Sequence, residues 1–297
     1  MTSPDILCIG SVLWDIIGRT DGALRARGDV AGRITRIPGG VAMNIAMTLA
    51  RFGLKPAVLT AIGADPEGDE LIAATDALGV STAYVFRTEL PTDRYMAIED
   101  ASGLIAAIAD AHSLEAAGEA ILTPLADGRL GRAQAPWRGP IALDGNLTAG
   151  LLEQIAASPL FAEADLRIAP ASPGKAERLI PVMRHARATL YVNRQEAGLI
   201  TGRAADTALE AAQALVAAGA ARALVTDGAR PAADCARGLE PLSHPARAVQ
   251  ARRVTGAGDT FMAAHLFAET RGADRLQALT RAQDAAAAYV AYEDFHP

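Results

Sequence analysis

Short apolar runs alternate along most of this chain with stretches in which apolar residues recur every three or four positions. The runs are continuous rather than alternating in polarity, which is typical of strands buried on both faces. They occupy residues 6–12, 56–62, 141–143, 166–168, 189–192 and 223–226. The periodic stretches predict helices at residues 39–53, 69–78, 150–157, 174–187, 207–218, 260–271 and 276–292. Buried strands separated by helices predict an α/β protein: a three-layer αβα fold with a mainly parallel central sheet.

One region departs from this alternation. Residues 95–100 and 104–109 are strand-like and flank the turn residues Ser102 and Gly103, with no helix between them. This pattern predicts a β-hairpin. Together with the polar, glycine-containing segment before residue 39, it predicts a small β lid formed by about residues 12–38 and 84–110. Because no change in composition marks a boundary, we expect a single domain over residues 1–297.

Composition and charge exclude several classes of protein. The 297 residues are 51% hydrophobic, enough for a large core. The net charge is −6 and no basic block stands out, which argues against a nucleic acid polymer as partner. The two cysteines, Cys8 and Cys235, are too few for a disulfide framework. There is no basic, apolar leader and no apolar run of ~20 residues, so we expect neither secretion nor membrane insertion but a cytoplasmic protein.

The strongest local signal for chemistry is the run from Val254 to Phe261, Val-Thr-Gly-Ala-Gly-Asp-Thr-Phe, which leads into a predicted helix. Glycine-rich turns at a helix start present backbone N–H groups that bind anions, including phosphoryl oxygens. Asp259 would lie beside such an anion hole, where it can take a proton from an attacking hydroxyl. On this run alone, an ordinary helix cap is the favoured interpretation.

Two other nucleotide-binding patterns are absent. A dinucleotide-binding Rossmann domain needs Gly-x-Gly-x-x-Gly after its first strand. The chain instead has Gly10-Ser11-Val12-Leu13-Trp14-Asp15 there. A phosphate-binding P-loop needs a Ser or Thr after Gly-Lys, whereas Gly174-Lys175 is followed by Ala176.

Four motifs together resemble those of the ribokinase-like (PfkB-type) carbohydrate and nucleoside kinases. Val254 to Asp259 resembles the family's C-terminal signature, and Gly39-Gly40 with Asn44 and the following Leu-Ala-Arg-Phe-Gly resembles the N-terminal one. Between them lie stretches that resemble the family's Ile-Gly-x-Asp-x-x-Gly turn and its Asn-x-x-Glu motif, at residues 62–68 and 193–196. The motifs occur in family order across most of the chain, and the resemblance implies a ribokinase-like fold.

The resemblance also implies roles for the residues of the phosphoryl-transfer end. Asp259 would be the catalytic base, and the backbone amides of Gly256, Ala257 and Gly258 would stabilise the transferring γ-phosphoryl group. ATP and Mg²⁺ would be the cofactors, with Asn193 and Glu196 placing the metal, Glu196 through water. Thr226 and Gly228 match the family's nucleotide-binding turn. Val254 stands where many members have an Asp tied to a monovalent-cation site, so a K⁺ requirement is left open.

At the substrate end, the resemblance implies that Asp15, Gly39, Gly40 and Asn44 bind a sugar. A carboxylate such as Asp15 can accept hydrogen bonds from two neighbouring hydroxyls, and the glycines allow close backbone approach. Each has a simpler interpretation: a solvated loop carboxylate, a helix-entry turn, and an amide satisfied by local backbone.

The sequence indicates the substrate less specifically than it indicates the fold and the reaction. Residues 39–53 and 95–110 are similar to the corresponding stretches of bacterial pseudouridine kinases, which phosphorylate the 5′-hydroxyl of that nucleoside. Residues 170–176 are also similar, although we interpret Lys175 as a solvated residue at a helix start. Ribose, a hexose or another nucleoside remain alternatives, as does a catalytically silent sugar- or nucleoside-binding regulatory protein of this fold. Members of the family often dimerise through their lids, which suggests a homodimer here.

Overall fold

The computed structural model describes residues 3–24, 28–101 and 103–295. The strands within these ranges are β1 Ile6–Ile9, β2 Leu13–Arg19, β3 Arg33–Gly39, β4 Pro56–Leu59, β5 Ala61–Gly63, β6 Phe86–Thr88, β7 Arg94–Asp100, β8 Gly103–Asp110, β9 Pro140–Asp144, β10 Asp165–Ala169, β11 Ala188–Asn193, β12 Arg222–Asp227, β13 Arg230–Ala236 and β14 Leu242–His244. The α-helices are α1 Val41–Arg51, α2 Pro66–Ala77, α3 His112–Ala117, α4 Ala149–Ala157, α5 Ile180–Met183, α6 Arg194–Thr201, α7 Ala208–Ala217, α8 Ala257–Thr270 and α9 Arg275–Ala291. Short 3₁₀ helices occupy Gly118–Leu125, Pro159–Phe161 and Pro173–Leu179.

The main sheet has eight strands in the order β14-β13-β12-β11-β10-β9-β1-β4. From β12 to β4 every neighbouring pair is parallel, while β13 and β14 are added antiparallel at one edge. Strands β1 and β4 are buried along their whole length, in keeping with their continuous apolar sequences.

Helices cover both faces of this sheet, which gives the three-layer αβα fold expected from the sequence. One apolar core holds residues of α3, α4, α6 and α7 against one face, and the other holds residues of α1, α2, α8 and α9 against the opposite face. Within the described ranges, no helix combines the length and apolarity needed to cross a bilayer.

A second, four-stranded sheet has the order β3-β2-β7-β8. Its β7–β8 hairpin is antiparallel and confirms the hairpin predicted at residues 95–109. Ser102, part of the predicted turn, lies outside the described residues. The four strands fall within the segments in which a lid is predicted, and β2 follows β1 of the main sheet after three residues.

Some predicted elements differ from the structure, and three of these differences concern the following regions. The helix predicted at residues 174–187 is wrong: a 3₁₀ helix is followed by the single turn of α5, because Pro181 has no N–H with which to continue a helical ladder. The strand predicted at residues 56–62 is divided between two sheets as β4 and β5. Helix α8 begins at Ala257, three residues earlier than predicted, which places Asp259 in its first turn.

Candidate active site

Several polar residues, some of them predicted site residues, lie at the carboxyl ends of the parallel strands of the main sheet. Asn193 ends β11 and is paired in register with Thr226 near the end of β12. Ser11 follows β1, and Asp144 ends β9. In open parallel α/β sheets the ligand site lies at this edge, because the loops that leave the strands converge there.

The turn before α8 provides unpaired backbone donors. Gly256 has a φ of +87° and precedes the first helical residue, Ala257. The N–H of Ala257 donates to the carbonyl oxygen of Val254 at 3.1 Å. The N–H groups of Gly256, Gly258 and Asp259 donate to no acceptor in the described ranges. The predicted anion hole is therefore best supplied by these three amides, and the N–H of Ala257 serves the turn itself.

Asp259 lies in the first turn of α8 and contacts α1. Its Oδ2 accepts a hydrogen bond from Nδ2 of Asn44 at 2.9 Å, which joins two residues 215 positions apart. Burial raises the pKa of Asp259 to about 7, and the nearby carboxylates of Asp144, Asp15 and Glu196 add to the increase while Asn44 opposes it. A carboxyl group with this pKa can both take up and release a proton near neutral pH. Asn44, which is predicted to contact substrate, also binds this carboxylate in the structure.

Asp15 packs directly against Gly39. The two belong to neighbouring strands β2 and β3, and a Cβ on Gly39 would lie only 2.0 Å from the Asp15 carboxylate. A larger residue at position 39 would therefore have to displace the Asp15 carboxylate. Burial raises the pKa of Asp15 to about 6, and its carboxylate makes no hydrogen bond to any residue the structure describes. Both carboxylate oxygens of Asp15 are thus available to hydroxyl donors.

Asp144 is a residue that the sequence analysis missed. It is fully buried, and its Oδ2 accepts hydrogen bonds from the N–H and hydroxyl of Ser11 and from the N–H of Ala42, at 2.7 to 3.0 Å. Its Oδ1 accepts from the N–H of Asn146 at 2.7 Å. The carboxylate therefore joins the ends of β1 and β9 to the start of α1, which carries Asn44. The polar triplet Asp-Gly-Asn directly after an apolar run was the available signal.

The interpretation of Lys175 as a solvated residue is wrong. Its side chain is half-buried, and Nζ donates to Oδ1 of Asn146 at 2.6 Å. Asn146 in turn donates to the hydroxyl of Ser11 at 2.8 Å. Burial and the neighbouring Arg178 lower the pKa of Lys175. The 3₁₀ helix that stands in place of the predicted α-helix brings this cation towards the carboxyl edge of the sheet.

Asn193 and Glu196 form a reciprocal cap at the start of α6. The Asn193 side chain accepts from the N–H of Glu196 at 2.9 Å, and Glu196 Oε2 accepts from the N–H of Asn193 at 2.8 Å. Burial raises the pKa of Glu196. The cap leaves Oε1 of Glu196 without a partner in the described part of the chain. Gly228 lies in the exposed turn after β12, with a φ of +61°.

The donor set fits a hydrated Mg²⁺ and not a metal held in a protein cage. Among the described residues, no group of three or more His, Cys, Asp or Glu side chains could hold a metal ion. Mg²⁺ commonly keeps several waters and binds through one or two carboxylates and the phosphates of a nucleotide. A single free oxygen of Glu196 is compatible with that arrangement.

Solved structures of carbohydrate kinases and ribokinases share this fold, which is therefore ribokinase-like. A carbohydrate kinase from Agrobacterium tumefaciens superimposes with a TM-score of 0.79 at 25% identity, covering 98% of this chain and 92% of that one. Ribokinase from Thermotoga maritima gives 0.76 at 22% identity, covering 97% and 93%. Arabidopsis thaliana ribokinase, complexed with ribose and ATP, gives 0.75 at 20% identity, also covering 97% and 93%.

The family follows from the sequence. The pfkB family of carbohydrate kinases matches residues 3–294, and the chain belongs to that family. A stretch of 75 residues is 37% identical to the pseudouridine kinase of Escherichia coli strain K12. That match spans only 25% of this chain and 24% of the E. coli enzyme.

Proposed function

We propose that this protein transfers the γ-phosphoryl group of ATP to a hydroxyl of a sugar or nucleoside, and specifically to the 5′-hydroxyl of pseudouridine. The observation that carries the proposal is the position of Asp259, a carboxyl group with a pKa of about 7 at the start of α8, beside three backbone N–H groups that have no acceptor among the described residues. A base next to a preformed anion hole is what phosphoryl transfer to an alcohol requires.

In the proposed reaction, the substrate hydroxyl donates to Oδ1 of Asp259, while Asn44 holds Oδ2 through its side-chain amide. The hydroxyl oxygen attacks the γ-phosphorus as its proton passes to Asp259, and the bond to the leaving ADP oxygen breaks. The N–H groups of Gly256 and Gly258 stabilise the negative charge on the phosphoryl oxygens. ATP with Mg²⁺ supplies the phosphoryl group and partly neutralises its charge, with Glu196, Asn193, Thr226 and Gly228 as the residues that would hold them.

The four-stranded sheet is proposed as the lid. It carries Asp15 on β2, and the N–H of Trp14 on the same strand is tied to the carbonyl of Asp93 in the segment that leads to β7. Movement of this sheet towards α8 would bring Asp15 and the bound sugar to Asp259 and exclude water from the phosphoryl group.

Pseudouridine is proposed because of the partial match to a pseudouridine kinase and the similar stretches at residues 39–53 and 95–110. We expect ATP consumption with Mg²⁺ to be fastest with pseudouridine in a panel that also contains uridine, adenosine, ribose and fructose. A clear preference for another compound would keep the kinase and reject the pseudouridine assignment. No turnover in folded protein, together with a ligand-induced increase in melting temperature, would favour a binding protein of this fold.

One face of the four-stranded sheet carries exposed apolar side chains and supports a homodimer. The register places Ile16, Met96 and Ile108 in one row across three strands. Ile98 and Ile34 lie two residues further along on the same face, opposite the face that carries Asp15. The side chains of Ile34 and Ile108 are 78% and 69% exposed. Apolar side chains exposed together on one face are typical of a protein–protein interface.

We therefore expect the protein to be a dimer by light scattering at micromolar concentration, and Ile108→Asp to convert it to a monomer. A charge introduced in the middle of an apolar interface would be costly to bury. Leu239→Asp is the matched control, because Leu239 is 56% exposed and lies outside this sheet. A monomeric wild-type protein would contradict the proposed dimer.

A further inference from the structure

The segment before the anion hole is attached to the last turn of α9. The backbone N–H groups of Arg252 and Arg253 both donate to the carbonyl of Val290, at 2.8 and 3.3 Å. Nε of Arg253 donates to the carbonyl of Tyr289 at 2.8 Å. The Arg253 guanidinium also lies 3.5 Å from the centre of the Tyr289 ring and 4.3 Å from that of Tyr292. This part of the turn is therefore bound to one side of α9 by several contacts.

The hydroxyl of Tyr289 reaches the anion-hole turn itself. It donates a hydrogen bond to the carbonyl oxygen of Thr255 at 2.9 Å. A Cβ on the next residue, Gly256, would lie 2.5 Å from the same hydroxyl oxygen, so the two groups are in close contact. Two features favour glycine at position 256: the close approach of the Tyr289 hydroxyl and the φ of +87°.

This hydrogen bond fixes one particular donor. The carbonyl of Thr255 and the N–H of Gly256 belong to a single peptide group, and in a trans peptide these two bonds point in opposite directions. Holding the carbonyl towards Tyr289 therefore turns the N–H of Gly256 away from α9. That N–H is one of the donors that have no acceptor in the described ranges.

We propose that Tyr289 is a positioning residue for phosphoryl transfer: its hydroxyl orients the Thr255–Gly256 peptide so that the Gly256 N–H faces the transferring phosphoryl group. Donors that are oriented before the reaction stabilise developing charge more effectively than donors that must reorganise. Arg253 holds the Tyr289 ring, and the hydroxyl acts on the turn. The inference rests on the proposed function, because it assigns a role within the same anion hole.

The test compares two single-atom changes next to the same arginine. Tyr289→Phe removes the hydroxyl that binds Thr255 and keeps the ring on Arg253. Tyr292→Phe is the matched control, because the Tyr292 ring also lies on Arg253 while its hydroxyl makes no hydrogen bond in the part of the chain that the structure describes. We expect Tyr289→Phe to lower kcat roughly tenfold, the upper end for loss of one neutral hydrogen bond, with KM for ATP and for the sugar or nucleoside within about twofold. Tyr292→Phe should match the wild type.

Binding of a transition-state mimic gives a second readout that needs no substrate turnover. ADP with Mg²⁺ and fluoroaluminate should raise the melting temperature of Tyr289→Phe less than that of the wild type, while ATP with Mg²⁺ should raise both equally. Equal kcat in an active wild type and in Tyr289→Phe would overturn the inference, and so would equal fluoroaluminate shifts. An inactive wild type would count against the proposed kinase, and the fluoroaluminate comparison would still test the role of Tyr289.

Discussion

Replacement of Asp259 by Asn is expected to lower kcat by ~100-fold or more, the contribution typical of general acid–base catalysis. Asn has nearly the same shape as Asp but cannot take up the proton of the attacking hydroxyl. The hydrogen-bonding group at Asn44 and the backbone donors of α8 remain in place, so binding of ATP with Mg²⁺ should change little. Steady-state kinetics with the best substrate of the panel, and calorimetric titration with a non-hydrolysable ATP analogue, measure the two quantities.

The control for this exchange is Asp206→Asn. Asp206 is exposed in the loop before α7, and its carboxylate makes no hydrogen bond or ion pair in the described residues. The same chemical change there should leave kcat at the wild-type value. Near-normal turnover of Asp259→Asn would remove Asp259 from the role of base and leave the anion hole as the main source of catalysis.

The pH dependence of the same residue follows from its pKa. Because the base must be unprotonated, kcat/KM should fall as the pH decreases below about 7, the raised pKa of Asp259. The folded protein also holds this proton more tightly than the unfolded chain, in which the carboxyl group has its ordinary pKa of 3.8. Stability from this group is therefore lost as the pH rises from 3.8 to about 7. At pH 8, Asp259→Asn should consequently melt at a temperature no lower than that of the wild type, which separates lost chemistry from lost folding.

The sequence allowed the main sheet and the glycine-rich turn before α8 to be predicted, because both depend on local patterns. Continuous apolar runs identified the parallel strands, and the Gly-Ala-Gly-Asp run identified the start of α8. Helix boundaries were less certain where a local feature decided them. Pro181 interrupts an otherwise periodic stretch, and the left-handed Gly256 starts α8 earlier than the apolar pattern does.

The contacts that organise the site were beyond prediction because they join distant residues. The Asn44–Asp259 hydrogen bond spans 215 positions, and the Ser11–Asp144 bond spans 133. Nothing in the sequence near Tyr289 indicates that its hydroxyl reaches Thr255. Lys175 was misinterpreted because its hydrogen-bond partner, Asn146, lies 29 residues away in the sequence. Residue types predicted which groups can do chemistry, and the topology decides which groups support them.

The largest expected loss of stability comes from Asp144→Ala. This change removes the acceptor of four hydrogen bonds, three buried and one part-buried, and the backbone N–H groups of Ser11, Ala42 and Asn146 are left without their partner. Each unsatisfied buried donor costs about 1–3 kcal/mol, partly recovered by relaxation and by water. We expect the free energy of unfolding to fall by about 3 kcal/mol or more, and Tm by roughly 6 °C or more for a domain of this size.

A graded series isolates the hydrogen bonds from the volume change. Asp144→Asn can present its single carbonyl oxygen to Ser11 and Ala42 but loses the acceptor for Asn146, so its Tm should lie between those of the wild type and Asp144→Ala. Thr60→Val is the matched buried control, because the Thr60 hydroxyl is fully buried and has no partner in the described residues. Its replacement should be neutral or stabilising.

Because Asp144 holds the start of α1, and α1 carries the Asn44 that binds Asp259, the folded fraction of Asp144→Ala should also turn over more slowly than the wild type. A Tm within 2 °C of the wild type, roughly the shift produced by 1 kcal/mol or less, would show that water replaces the carboxylate and that this buried acid is not what joins the two strands to the helix.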